Sequence, residues 1–245
     1  MPFKKKSSWV AGADACKAGW VIVLRHVHTG ATRLRIVPDV EALMQMSESP
    51  ALCGIDMVIG LPKAARSGGR ACDRAARALL GWPRSSSVFS PPCRAALQAD
   101  TYAAAQRRNR ASHSDQVGLT KQAFHLFPKI KALDRAMSPQ LQQYIREVHP
   151  ECSFYALNGG AALADSKHTD VGKQHRIQLL QDAGFHDLDA ALHAHPRGDA
   201  SVDDILDAHA VCWTAQRIHD GTAQQLPNTD AVPTDERGLR MEIWR

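Results

Sequence analysis

Three strand-like runs joined by short connections open the chain, and they constrain its fold more than any other feature. They are rich in Val, Ile and other strand-forming residues and cover residues 9–13, 20–25 and 32–37. Because strands with such short connections pair antiparallel, the sequence predicts an antiparallel meander. A short helix over 39–47, capped by Asp39, and a buried strand over 51–55 follow, and that strand ends directly before Asp56.

The rest of the chain alternates helical and strand-like segments, which is typical of α/β proteins. The pattern from about Arg70 to Tyr144 is helical with breaks and predicts a helical insertion over about 64–143. Further predictions are a strand over 143–148, helices over 172–183 and 202–219, and a short edge strand over 239–244. We therefore expect one domain over 1–245, with a mixed five-stranded sheet flanked by helices. This order of elements is that of the ribonuclease H fold.

Acidic residues far apart in the sequence lie at or near the ends of these predicted elements. Asp204 and Asp207 are three residues apart in the last helix, so their carboxylates share one helical face. Asp14 ends the apolar run over 9–14, which predicts a strand followed by a turn. In a ribonuclease H fold Asp14 would lie mid-sheet, with Asp56 beside it at the end of a neighbouring strand. An alternative stays open for each, since Asp203 and Asp204 also suit the first turn of a helix and Asp14 can hydrogen-bond a turn.

A cation is the natural partner for such a group of acids. Bringing carboxylates within roughly 4 Å costs on the order of 4 kcal/mol per close pair at an effective dielectric constant of 20. Oxygen ligands without a set of histidines or cysteines favour Mg²⁺ or Mn²⁺ over Zn²⁺. Glu151 is a further acid beside His149 and Pro150, and it can ligate a metal, act as a base or form a salt bridge.

Basic residues outnumber acidic residues, 30 to 25, which gives a net charge of +5 and favours an anionic partner such as nucleic acid or a phosphorylated small molecule. Arg70, Asp73 and Arg77 recur at helical spacings. They form either a phosphate-facing strip or an ordinary Asp73–Arg77 pair within the helix. Lys129 and Lys167 add positive charge, although a solvated surface also explains such residues.

Cysteine usage and hydropathy predict a cytoplasmic protein. The six cysteines include no Cys-x-x-Cys pair, so reduced thiols are expected rather than a zinc ribbon or a disulfide framework. No secretory signal is expected, and no apolar run approaches the roughly 20 residues that a membrane span requires. The sequence leaves open whether the chain forms a homodimer.

Short motifs in a fixed order run from about Val10 to Trp244. They are Gly12-Ala-Asp-Ala-Cys-Lys-Ala-Gly-Trp20, Ile55-Asp-Met-Val-Ile-Gly-Leu-Pro62, Arg70-Ala-Cys-Asp-Arg-Ala-Ala-Arg77, Val88-Phe-Ser-Pro-Pro92, Glu147-Val-His-Pro-Glu-Cys-Ser-Phe154 and Asp203-Asp-Ile-Leu-Asp-Ala208. In these motifs the chain closely resembles the family known as domain of unknown function 429, which is usually described as a predicted ribonuclease H-like nuclease.

The resemblance implies a set of functional residues. Catalytic and metal-binding roles are implied for five acids: Asp14, Asp56, Glu151, Asp204 and Asp207. Substrate contacts are implied for Lys17, Arg70, Asp73, Arg77, Lys129, His149 and Lys167. The implied cofactor is Mg²⁺ or Mn²⁺.

Three functions follow as hypotheses. The leading one is a divalent-metal-dependent phosphoester hydrolase, a nuclease acting on DNA or RNA. The second is an ATP-dependent phosphotransferase of the actin-like and sugar-kinase superfamily, which shares the core fold, although the usual glycine-threonine phosphate turns are absent from the sequence. The third is a non-catalytic module that binds nucleic acid or protein.

Overall fold

The antiparallel meander forms one side of a five-stranded sheet. In the computed structural model, which describes residue 3 and residues 7–245, the meander consists of β1 (Trp9–Cys16), β2 (Gly19–His26) and β3 (Thr32–Val37). On the other side of β1, β4 (Leu52–Ile55) pairs parallel with β1, and β5 (Ile145–Glu147) pairs parallel with β4. The strand order is β3-β2-β1-β4-β5. The predicted α/β class and mixed five-stranded sheet are therefore confirmed.

Strand β1 is longer than predicted and contains Asp14. Asp14 pairs with Val21 of β2, and the chain turns only at Lys17 and Ala18. The turn is placed by Gly19, whose φ of 137° lies in a region that favours glycine. A Cβ atom on Gly19 would also lie 2.2 Å from the carbonyl oxygen of Val37. The predicted strand over 9–13 was therefore too short, and Asp14 lies within the sheet.

Ten helices follow one another along the described part of the chain. They are α1 (Val40–Met44), α2 (Ala71–Leu80), α3 (Arg94–Leu97), α4 (Tyr102–Ala111), α5 (Lys121–His125), α6 (Phe127–Ala136), α7 (Pro150–Leu157), α8 (Asp170–Asp182), α9 (Leu188–His193) and α10 (Val202–His219). Helix α10 has the predicted bounds, α8 begins two residues before its predicted start, and α9 was not predicted. None of the described helices combines the length and apolar character that a membrane span needs.

The chain divides into two units by its internal contacts. The first, here the sheet unit, takes the described residues up to Met57 together with Gln143–Gln224 and Trp244–Arg245. The second, here the helical unit, takes Val58–Gln142 and Gln225–Ile243. The main sheet, α1 and α7–α10 belong to the sheet unit, whereas α2–α6 belong to the helical unit. In the tail, β6 (Gln225–Leu226) pairs with β7 (Ile243–Trp244), which covers only the end of the predicted edge strand.

Helix α10 packs across β1, β2 and β4 in the sheet unit. Its inner face joins a core of buried apolar residues that includes Val10, Val23, Phe154 and Leu206. The helix comes so close to β1 that a Cβ atom on Gly12 would lie 2.1 Å from the backbone nitrogen of Cys212. Only a glycine at position 12 allows this close packing. The packing places α10 on the face of the sheet to which Gly12 and, two residues later, Asp14 belong.

Candidate functional site

Asp14 and Asp56 are placed side by side by the parallel pairing of β1 and β4. The register sets Gly12 opposite Gly54 and Ala13 opposite Ile55, and the backbone nitrogen of Asp56 donates to the carbonyl of Ala13 at 2.9 Å. Side chains two residues apart in a strand point to one face. Each aspartate therefore lies on the face that its glycine leaves open to α10. Asp14 is buried, with 7% exposed, and Asp56 is partly exposed.

Helix α10 brings the third acid, Asp207. The helix begins with a capping box, in which the Ser201 nitrogen donates to Asp204 Oδ2 at 2.8 Å and the Asp204 nitrogen donates to Ser201 Oγ at 3.2 Å. This confirms the capping alternative for Asp204. Asp207 follows nearly one turn later and is buried, with 5% of its surface exposed.

The three acids interact with one another electrostatically. Burial raises the pKa of Asp14 well above its usual value, and the nearby charges of Asp56, Asp207 and Asp204 raise it further. The pKa of Asp56 is raised well above its usual value by burial and then by Asp207. Burial also raises the pKa of Asp207, against the opposing effect of Lys167. The structure thus brings Asp14, Asp56 and Asp207 together as one acid cluster, with Asp204 close by.

Glu147 is an acid near this cluster that our sequence analysis did not select. It ends β5, pairs with Ile55 of β4, and is 6% exposed. Its charge raises the pKa of Asp56. The sequence could have indicated Glu147 by its position at the carboxyl end of a predicted buried strand. In a parallel pair such a glutamate lies beside the acid that follows the neighbouring strand.

Lys167 places a positive charge at the acid cluster. Its Nζ donates to Asp207 Oδ2 at 2.7 Å. Burial alone would lower the pKa of Lys167, but Asp207, Asp14 and Asp203 outweigh burial and raise it. The ammonium group is therefore charged, and it reaches the cluster from the segment between α7 and α8.

Glu151 lies in the first turn of α7 and forms a buried ion pair with Arg176 of α8. Arg176 Nη2 donates to Glu151 Oε1 at 2.6 Å, and the two side chains are 1% and 8% exposed. Glu151 Oε2 is buried without a hydrogen-bond partner within the described residues. The charge of Glu151 also raises the pKa of Asp207. The salt bridge that was one alternative for Glu151 is therefore present, and it uses only one of the two carboxylate oxygens, Oε1.

Four of the predicted substrate contacts belong to the helical unit. Arg70 Nη2 donates to Asp73 Oδ1 at 2.7 Å, and both side chains are buried. Arg77 donates instead to the carbonyl oxygens of Gly68 and Val88 and to Ser90. The alternative of an Asp73–Arg77 pair is therefore wrong, because Asp73 pairs with the arginine that precedes α2. Lys129 lies on α6 and is partly exposed.

Two further predicted contacts belong to the sheet unit. Lys17 is exposed in the turn between β1 and β2, three residues after Asp14. His149 is partly exposed and directly precedes α7, two residues before Glu151.

The donor chemistry of the acid cluster fits a hard divalent cation. Its ligand groups are carboxylates, which hard divalent cations prefer. Asp207 already pairs with one cation, the ammonium group of Lys167. Glu151 Oε2 is an additional buried oxygen without a hydrogen-bond partner in the described chain. Within residue 3 and residues 7–245, no three His, Cys, Asp or Glu side chains are already arranged around one metal position. Any ion would therefore be bound with some movement of these side chains.

A family model described as protein of unknown function (DUF429) matches residues 12–232, so the chain belongs to that family. No curated protein and no solved structure matches the chain.

Proposed function

We propose that this member of the DUF429 family is a divalent-metal-dependent phosphoester hydrolase that acts on nucleic acid. The observation that carries the proposal is the acid cluster, in which the charges of Asp14 on β1, Asp56 directly after β4 and Asp207 on α10 act on one another. Asp14 and Asp207 are buried, and Asp56 is partly exposed. Like charges in a buried site destabilise the folded state unless a cation or protons balance them. A divalent cation bound at the acid cluster would balance these charges.

The order and direction of the strands support a ribonuclease H-like fold. An antiparallel meander is followed by two parallel strands, and the acids lie on the first strand, after the fourth and on a late helix. The resemblance to the ribonuclease H fold predicts acids on the first strand and a late helix. We infer that the acid cluster corresponds to the metal-binding acids of that fold.

The acid cluster would hold Mg²⁺ or Mn²⁺ through Asp14, Asp56 and Asp207. A bound ion supplies a water of lowered pKa and stabilises the charge on the leaving oxygen of a phosphodiester. The chain's own contribution is to place carboxylates from rigid elements and to keep a positive charge, Lys167, at the edge of the site. Asp56 is partly exposed, which leaves a side of the cluster open to substrate.

Positive charge around the site supports an anionic substrate. The net charge is +5, Lys17 is exposed in the sheet unit, and Lys167 brings its charge to the acid cluster, where its Nζ donates to Asp207. The guanidinium group of Arg77, by contrast, is taken up by carbonyl oxygens of the helical unit. We propose Lys17 and Lys167 as the first residues to contact phosphate.

The test is cleavage of single-stranded, double-stranded and branched DNA and RNA by the full chain, with Mg²⁺, Mn²⁺ or a chelator. We expect metal-dependent cleavage that falls about 100-fold or more in Asp14→Asn and Asp207→Asn, a loss of roughly 3 kcal/mol of transition-state stabilisation. Asp230→Asn is the matched control, because Asp230 is exposed. Equal cleavage by wild type and both cluster variants would remove the proposal.

The same preparations separate the two other hypotheses. Thermal stabilisation by ATP with Mg²⁺, without cleavage of any nucleic acid, would point to a phosphotransferase. Binding of nucleic acid that is equal with metal and with chelator, again without cleavage, would point to a binding module.

A further inference from the structure

We propose that the helical unit recognises unpaired nucleic acid, with Trp82 as the residue on which an unpaired base stacks and Arg84 as a contact to phosphate. The inference rests on the proposed function for its class of substrate. It adds the form of nucleic acid that the chain prefers and the unit that binds it. Neither residue belongs to the acid cluster.

Trp82 is the most exposed large apolar side chain among the described residues, with 86% of its surface exposed. Tryptophan is on average a highly buried residue. The other four tryptophans are covered, either by burial (Trp20) or by an arginine guanidinium group 4.6–5.6 Å from the ring centre (Trp9, Trp213 and Trp244). No aromatic or cationic partner covers the Trp82 ring in the part of the chain that the structure describes. Both faces of this indole are therefore open to a ligand.

The turn that carries Trp82 is held by hydrogen bonds on both sides. Before it, Gly81 follows α2 with a φ of 63°, and its nitrogen donates to the Arg77 carbonyl at 3.0 Å. After it, a short 3₁₀ helix (Arg84–Ser87) begins, and the Ser85 nitrogen donates to the Gly81 carbonyl at 2.7 Å. The indole thus lies on an ordered backbone, and a base can stack on it without the cost of ordering a loop.

Arg84 places a positive charge two residues after Trp82. Its side chain is partly exposed, its buried Nε has no hydrogen-bond partner among the described residues, and no described carboxylate forms an ion pair with it. By contrast, Arg77 is held by backbone carbonyls and Arg94 by Asp134. The guanidinium group of Arg84 therefore remains for an anionic ligand, and arginine binds phosphate through strong charge-assisted hydrogen bonds.

Positive charge is concentrated in the helical unit. Residues 58–142 and 225–243 contain 16 basic and 8 acidic side chains, a net charge of +8, whereas the rest of the chain has 14 basic and 17 acidic ones. Residues 74–114 alone contain seven arginines and one acid, and three of these arginines are exposed on α4: Arg107, Arg108 and Arg110. The helical unit thus has the charge expected of a part that binds the phosphates of nucleic acid.

The surroundings of Trp82 favour nucleic acid over protein as the partner. Tryptophans that anchor protein interfaces are surrounded by further contacts that exclude water. Here the residues at 84–87 are one arginine and three serines, and the other exposed large apolar side chain of the described chain, Val171, belongs to the sheet unit. A single exposed ring beside a positive charge suits the stacking of bases in a single strand. Bases inside a duplex already stack on their neighbours, so unpaired nucleic acid is the expected form.

The test is the binding of a labelled oligothymidine strand of about 20 nucleotides, and of a duplex of the same length, by the full chain with a chelator present. We expect Trp82→Ala to weaken binding of the single strand about 10-fold or more and binding of the duplex less than about 2-fold. Trp82→Phe keeps an aromatic face and should bind within about 3-fold of wild type. The single strand should quench the tryptophan fluorescence of wild type more than that of Trp82→Phe. Val171→Ala is the matched control and should bind as wild type does.

The role of Arg84 is tested by the salt dependence of the same binding. Arg84→Gln should weaken binding of the single strand and reduce the slope of log affinity against log salt by about 0.7, the effect of one phosphate contact. Arg197→Gln, at an exposed position in the sheet unit, is the matched control and should leave the slope unchanged. An equal slope in wild type and Arg84→Gln would contradict the phosphate contact.

The outcomes separate this inference from the proposed function. Absence of binding by wild type, equal binding of the single strand by wild type and Trp82→Ala, or an equal loss for the duplex would overturn the inference. A wild-type dimer that Trp82→Ala converts to a monomer, with unchanged binding of DNA, would overturn it in favour of a protein contact. Metal-dependent cleavage that requires Asp14 and Asp207 would leave the proposed function standing in each of these cases. Trp82-dependent binding of single strands without such cleavage would support the inference and contradict the proposed function.

Discussion

Gly12 and Gly54 lie opposite each other in the parallel ladder between β1 and β4, and each lies two residues before an aspartate of the acid cluster. Both glycines lie under α10, where a Cβ atom on Gly54 would be 2.9 Å from Val211 Cγ1. The two Gly-x-Asp segments therefore do two things together. The glycines allow α10 to pack close to the sheet. This close packing brings Asp207 of α10 near enough for its charge to act on the two aspartates.

Gly12→Ala should destabilise the fold strongly. The added Cβ atom would lie 2.1 Å from the Cys212 nitrogen and 2.4 Å from the Ala208 oxygen, and backbone atoms of a helix cannot move aside as a flexible side chain can. We expect a loss of about 3 kcal/mol or more in the free energy of unfolding, at the upper end of overpacking effects. Urea denaturation measures it.

Gly198→Ala is the matched control, because nothing lies within 4 Å of its added Cβ atom. It should change the free energy of unfolding by less than about 0.5 kcal/mol. Equal stability of the two variants would show that α10 does not lie as close to β1 as described.

Asp14→Asn should stabilise the protein without metal while removing its response to metal. The pKa of Asp14 is raised in the folded state by burial and by Asp56, so the charged carboxylate destabilises the fold at neutral pH. A raised carboxylate pKa means that stability falls as pH rises through that value. We expect a gain on the order of 1 kcal/mol near neutral pH, or about 2–4 °C in Tm.

The pH dependence and the metal response check this explanation. The gain should disappear on acidification towards about pH 4, the usual pKa of an aspartate, because both proteins are then neutral at this position. Mn²⁺ should raise the Tm of wild type and of the Asp230→Asn control, but not that of Asp14→Asn. A variant less stable than wild type at neutral pH would contradict the repulsion among these acids.

The sheet could be predicted from sequence because its strands are marked by local pattern. Runs of Val, Ile and Trp with glycine between them mark β1 to β3, and the apolar run before Asp56 marks β4. The end of β1 was misplaced because the turn depends on Gly19 and its contact with Val37, a residue in another strand. Short elements such as α9, with six residues, carry too little periodicity to be recognised.

The acid cluster was predicted in part, for a related reason. Acids at element ends are visible in the sequence, and the charges of Asp14, Asp56 and Asp207 do act on one another in the folded chain. The partner of each charge is not visible, because it depends on packing between distant segments: Lys167 reaches Asp207 across 40 positions of sequence. Glu147 escaped notice because its importance comes from pairing with β4.

The buried pair of Glu151 and Arg176 should be needed for folding as well as for the site. Glu151→Gln leaves the Arg176 charge without its partner in the core, and breaking a buried ion pair from one side costs about 3–5 kcal/mol. Glu151→Gln/Arg176→Met should cost less than the sum of the single variants. Glu236→Gln, in the exposed Lys63–Glu236 pair, is the control and should cost less than about 1 kcal/mol. A neutral effect of Glu151→Gln would contradict the pair.

His209 should make the fold sensitive to acid. It lies on α10 with 2% exposed, its Nδ1 is 2.7 Å from the Ile205 oxygen and its ring meets Phe185 edge-on. Burial lowers the pKa of His209 to about 4, so its contribution to stability is present above about pH 6.5 and is lost as pH falls towards 4. This loss is about 3 kcal/mol, and His209→Gln cannot undergo it. The destabilisation by His209→Gln should therefore shrink by about that amount between about pH 7 and pH 4, measured by urea denaturation.

Because the aspartates titrate alike in both proteins, the difference isolates His209, and His186→Gln, at an exposed position, should show no such change. A difference that is constant with pH would mean that His209 is protonated as easily in the folded protein as in the unfolded chain.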